Sequence, residues 1–84
     1  MLSIRENMRT VLEALAKAKR DPVGDAWVPA AQLQKDTGLS PPDLNDAVEI
    51  LVGNGLVKWL QSMGTAPYRF NQVTITSHGR LSLQ

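Results

Sequence analysis

Three carboxylates recur at steps of three in the middle of this chain, at Asp43, Asp46 and Glu49. At about 100° per residue, that spacing sets them along one side of a helix. Such a row can accept hydrogen bonds from cytosine amino groups or meet a basic protein surface. Metal chemistry is poorly supplied. The chain has no cysteine and one histidine, His78, so carboxylates alone would have to complete a shell, and a solvated or capping histidine is expected instead. A serine–histidine–aspartate set exists in composition, but no spacing supports it. Asp21 and Asp25 lack the ligand spacing of a calcium loop. Gly53-Asn-Gly55 ends a helix, whereas phosphate cradles favour helix starts. The sequence therefore implies no catalytic residues, no metal and no cofactor.

The 84 residues suffice for one small domain with a single core, and the 43% hydrophobic and 20% charged composition suits a folded chain. Arg5, Glu6 and Arg9 interrupt any apolar N-terminal run, and no stretch approaches the roughly 18 apolar residues of a membrane span. A soluble, cytoplasmic domain is the expectation, and a cysteine-free chain is compatible with it. The formal net charge of +1 hides a division by region. Arg5, Arg9, Lys17, Lys19 and Arg20 outnumber the acids of the first twenty residues, and Lys58, Arg69 and Arg80 stand unopposed after residue 56. Between residues 40 and 56 there are only acids. Attraction to phosphate must therefore come from the two ends.

Those acids need a helix to position them, and the chain supplies its signals. A first helix starts at Ser3 with Glu6 as a capping-box partner, and Ile4, Met8, Val11, Leu12, Leu15 and Ala18 form its apolar stripe. Lys17, Lys19 and Arg20 crowd its C-terminal end, where cations complement the helix dipole. Asp21 to Asp25 reads as a turn. Ala26-Trp-Val28 is a short strand, and Pro29 opens a second helix that Gly38 stops. Ser40 caps a third helix, with Pro41 at its first position, Asp43 at the box position, and Leu39 and Leu44 spaced as a hydrophobic staple. Two helices joined by a short turn containing glycine make a helix-turn-helix.

On the third helix, Leu44, Ala47, Val48 and Leu51 share one arc, and Pro42, Asp46, Glu49, Ile50 and Gly53 share the opposite one, flanked by Asp43 and Asn45. Asn54 and Gly55 end it. A hairpin follows: Val57 to Gln61, a loop from Ser62 to Pro67, and a return strand through Phe70 and Val73 to Thr76. The apolar alternation slips parity between Phe70 and Val73, which predicts a bulge near Asn71-Gln72. Trp27 and at least two of Trp59, Tyr68 and Phe70 are expected in the core.

This order resembles the winged helix-turn-helix domain of bacterial transcriptional regulators. The matching residues are Ala30 to Leu33 with Gly38 to Ser40, then Leu44, Val48 and Leu51 with Asn54 to Val57. Ile75-Thr-Ser-His-Gly-Arg80 is similar to the leucine–threonine–x–x–glycine–arginine ending of the wing in many of them. The resemblance implies an α+β fold: three helices, a short strand and a C-terminal β-hairpin wing, as a single domain over residues 1–84. It also implies that the third helix reads base edges while the wing and helix starts hold phosphates. Carried over to this chain, the base-reading positions are Pro41, Pro42, Asn45, Asp46 and Glu49, and the other nucleic-acid contacts are Ser40 at the helix start and Lys58 and Arg69 on the wing, with the loop around Gly64.

The acids depart from that family's usual reader helix, in which arginine pairs with guanine and amides pair with adenine. Asn45 alone is a reader of that kind, and no residue on this face neutralises phosphate. Two functions of different class follow. One is DNA binding by a small regulator. The other is a protein-interaction module, in which Asp46, Glu49 and Ile50 meet a partner with a basic surface. Neither reading involves a membrane, and neither fixes an oligomeric state.

Overall fold

The computed structural model describes residues 4–18, 26–61 and 67–83. The expected cap at Ser3, the cations Lys19 and Arg20, the turn from Asp21 to Asp25 and the loop around Gly64 lie outside them. The elements run α1 (Ile4–Lys17), β1 (Val28–Pro29), α2 (Ala30–Thr37), α3 (Pro41–Gly53), β2 (Val57–Gln61), β3 (Phe70–Ile75) and α4 (Ser77–Leu81). The three strands form one antiparallel sheet in the order β1-β3-β2. This is the α+β winged-helix architecture, with a fourth helix added. Among the described residues, no helix is long and apolar enough to cross a membrane.

One core joins every layer. Val11, Leu12 and Leu15 of α1, Leu33 of α2, and Leu44, Ala47, Val48 and Leu51 of α3 are buried with Val28, Val57, Phe70, Val73 and Ile75 of the sheet. The two apolar arcs thus pack as their periodicity predicts. Ile4 is the exception in α1, exposed near the start of the helix. Leu39 and Leu44 are both buried, consistent with the staple that sets the entry of α3.

The α2–α3 turn depends on Gly38, whose φ of 72° is left-handed and whose N–H donates to Gln34 O at 2.8 Å. Pro29 lies just outside α2 rather than in its first turn. Val28 and Pro29 pair with Val73 and Gln72, which holds them extended and moves the strand two residues past the expected start. Ser40 adopts the extended N-cap conformation, but its hydroxyl makes no capping bond; its carbonyl accepts from Leu44 N–H at 2.8 Å. The bulge occurs where parity slips: Leu60 faces Gln72 and Gln61 faces Phe70, which leaves Asn71 as the extra residue.

One expectation fails. Phe70 is buried, and Trp59 and Tyr68 pack partly buried against the core, but Trp27 remains 37% exposed. It precedes the two residues that β3 pairs, so the sheet does not draw it inward. The residues after Thr76, to which the sequence assigns no element, form α4. Thr76 Oγ1 accepts from Gly79 N–H at 3.1 Å and so caps α4, while donating to Gly55 O at 2.8 Å. Thr76 N–H donates to Leu56 O at 3.0 Å. A cap and a tether to the α3–β2 turn thus meet at one residue.

Gly79 is buried against that turn. A Cβ built there would stand 2.2 Å from Leu56 O and 2.6 Å from Ile75 Cγ1. Glycine in a helix ordinarily costs roughly 0.5–1 kcal/mol relative to alanine, so removing it from an open position would stabilise. Here the overpacking cost of about 1–3 kcal/mol should win, because the nearest atom is backbone. Gly79→Ala is expected to lower the urea midpoint of unfolding; a raised midpoint would show that α4 is not seated on Leu56.

Candidate nucleic-acid interface

The apolar arc of α3 faces the core, which leaves Pro42, Asp46, Glu49, Ile50 and Gly53 exposed on the outer side. Ile50 is 41% exposed, the largest apolar group on that surface. The face is therefore presented outward, as the helical wheel predicts. Its charge and its hydrogen-bonding capacity differ from the sequence expectation at three places.

The first is Asn45. It was the one residue of the amide class suited to reading adenine, yet it is only 5% exposed. Its Nδ2 donates to Pro67 O at 2.9 Å, and its Oδ1 accepts from Arg69 N–H at 3.0 Å. Both ends of the amide are consumed by the root of the wing. Asn45 is thus a structural clamp, with its amide turned into the fold and not toward the outer face. Nothing local in the sequence signals this, because its partners lie more than twenty residues away.

The second is Arg69. Its guanidinium turns back over α3, where Nη1 donates to Glu49 Oε2 and lies 3.9 Å from Asp46 Oδ1. The carboxylates are therefore shared with a wing arginine and are not a bare acidic row. The three side chains are 58%, 43% and 58% exposed for Arg69, Glu49 and Asp46, so the pairs stand in solvent and contribute at most about 1 kcal/mol each.

The third is the start of α3. Helix starts offer anions their unpaired N–H groups. Pro41 and Pro42 have none, and Leu44 N–H is taken by Ser40 O. Asp43 is left as the main-chain donor of that turn, and its own side chain is an anion. This end therefore offers an anion few main-chain donors.

Other parts of the surface keep their expected places. Lys58 is exposed on β2 opposite Thr74, on the wing hairpin. Tyr68 donates its hydroxyl to Gln34 Oε1 of α2, so the wing root is tied to both helices of the helix-turn-helix. His78 is exposed in α4, and no group of three or more metal-binding side chains occurs among the described residues.

Neither a protein-family model nor a curated protein matches the sequence. Solved structures do share its fold. The chain is similar to the transcriptional regulator PA4135, at a TM-score of 0.66 and 17% identity over 98% of this chain and 52% of that one. It is also similar to NMB1585, a MarR family regulator from Neisseria meningitidis, at a TM-score of 0.62 and 20% identity over 89% of this chain and 46% of that one. This chain spans about half the length of each regulator. At these identities the likeness is one of fold: the winged helix-turn-helix.

The two wing-root attachments should differ in strength. Asn45→Ala removes a buried amide and its two hydrogen bonds, to Pro67 O and from Arg69 N–H, each worth roughly 0.5–1.5 kcal/mol net. Arg69→Ala removes exposed ion pairs worth about 1 kcal/mol or less. Urea unfolding of both variants is expected to show the larger drop for Asn45→Ala; equal or reversed drops would contradict the clamp.

Proposed function

We propose that this chain is the DNA-binding winged-helix domain of a transcriptional regulator, in which α3 and the wing approach duplex DNA together. The observation that carries this reading is the exposed outer face of α3 beside a hairpin rooted on it, in a fold that solved transcriptional regulators share. In this reading α3 lies against the major groove, with the Ser40, Pro41 and Pro42 turn at its leading end. Lys58 on β2 meets the phosphate backbone from the wing. Arg69 acts at the α3 face, where its carboxylate partners hold it.

Phosphate neutralisation dominates non-specific affinity, and this domain brings few cations to it. Binding should thus be weak on arbitrary duplex and should gain strongly on a matched site. Protein association is a second reading, favoured by Asp46, Glu49 and Ile50 lying exposed on one face. A partner there would need a basic rim around an apolar contact.

Titration of labelled duplex DNA separates the two. Each neutralised phosphate contributes about −0.9 to the slope of log K against log salt. Lys58→Ala is expected to weaken binding on all sequences alike and to make that slope shallower by about one. Absence of any complex at low salt would reject DNA binding and leave the protein-interaction reading.

A further inference from the structure

We propose that Glu49 and Arg69 act as one paired reader of a G·C base pair, with Arg69 supplying donors and Glu49 the acceptor. This rests on the DNA-binding reading above and specifies what the α3 face recognises.

The two residues come from different elements, Glu49 from α3 and Arg69 from the segment just before β3, and their side chains meet on the outer face of α3. An arginine at a wing root has other directions open to it. Here its backbone N–H is fixed by Asn45 Oδ1, and Glu49 lies one helical turn beyond Asn45, so the guanidinium is drawn across α3. Both carboxylate contacts use the same nitrogen, Nη1. The guanidinium carries five N–H donors in a planar fork, so this arrangement does not exhaust it.

Across the major groove, a G·C pair displays two acceptors on guanine, N7 and O6, and then the amino donor of cytosine N4. A guanidinium beside a carboxylate displays the complement, donors next to an acceptor. Arginine on guanine and glutamate on cytosine are each known pairings of side chain and base. Joined, they cancel one another's charge. The pairing therefore removes part of the penalty that a lone carboxylate incurs near phosphates.

Stabilisation of the fold is a poor alternative role for the pair. The side chains are about half exposed, and exposed ion pairs contribute little. The buried Asn45 amide and the Tyr68 bond to Gln34 already hold the wing root.

Selection from a randomised duplex library tests the proposal, using the full chain, Glu49→Gln and Arg69→Ala, with circular dichroism to verify folding. The unaltered chain should enrich a G·C pair at one position, and replacing that pair should weaken binding by roughly 5- to 150-fold. Glutamine reads adenine, so Glu49→Gln should displace cytosine from that position while binding duplex at least as tightly overall. Arg69→Ala should lose the guanine preference there. An identical selected sequence for Glu49→Gln and the unaltered chain would overturn the proposal. Duplex binding without base preference would overturn it and leave the DNA-binding reading intact. No complex with any duplex at low salt would overturn both.

Discussion

The position of the wing on α3 depends on one buried amide, because the Asn45 side chain bonds two backbone groups of the wing's returning arm, Pro67 O and Arg69 N–H. A polar group hidden from water is costly unless its partners are in place. Asn45 has them: it accepts from Arg69 N–H and donates to Pro67 O. That requirement is directional, unlike the contact of Leu44, Ala47, Val48 and Leu51 with the core. Apolar burial brings α3 and the sheet together, and the amide then selects the angle and register at which the wing leaves.

The electrostatics of the outer face follow from that clamp. Fixing Arg69 at its backbone brings its guanidinium within reach of Glu49 and Asp46, a pairing that residue counts by region do not reveal. One cation serves two carboxylates, so the face stays acidic on balance but is no longer uniformly repulsive. The prolines act in the opposite sense at the start of α3, since they suit the first helical turn yet delete donors that phosphate would use. In the DNA-binding reading proposed above, affinity for bare backbone would thereby be weakened, and weight would shift from phosphate contacts, common to all sequences, toward contacts that depend on the base pair.

Most of the fold was legible because its signals are local. Apolar spacing located the buried arcs of α1 and α3, Gly38 marked the turn between α2 and α3, and the parity slip at Asn71 located the bulge. What escaped was set by contacts distant in sequence. Asn45 looks like a flank residue on a helical wheel, and only the returning wing makes it interior. Arg69 looks like a free wing cation until its guanidinium meets Glu49. Helix α4 is short, with a threonine cap and a glycine inside, and a sequence pattern weighs that glycine against a helix; its seat on Leu56 reverses the preference. Trp27 was assigned inward for its size, whereas β3 pairs only Val28 and Pro29 and leaves it at the edge.

Fixing α3 at both ends has a consequence for recognition. Near its start, Asn45 joins it to the wing root, and Tyr68 carries that connection on to Gln34 of α2. Past its end, Gly55 O and Leu56 O are held by Thr76, the residue that also caps α4. Arg80 Nη1 then reaches Ala16 O near the end of α1, at 3.5 Å. The outer face of α3 is therefore set in position before any partner arrives. Side chains immobilised on binding cost roughly 0.5–1.5 kcal/mol each, and groups already held incur less of that cost. A surface poor in cations has little general attraction to offset such losses, so pre-positioning matters more here than on a strongly basic domain. A domain of this kind gains most where the partner presents a complementary pattern and least where it presents only charge.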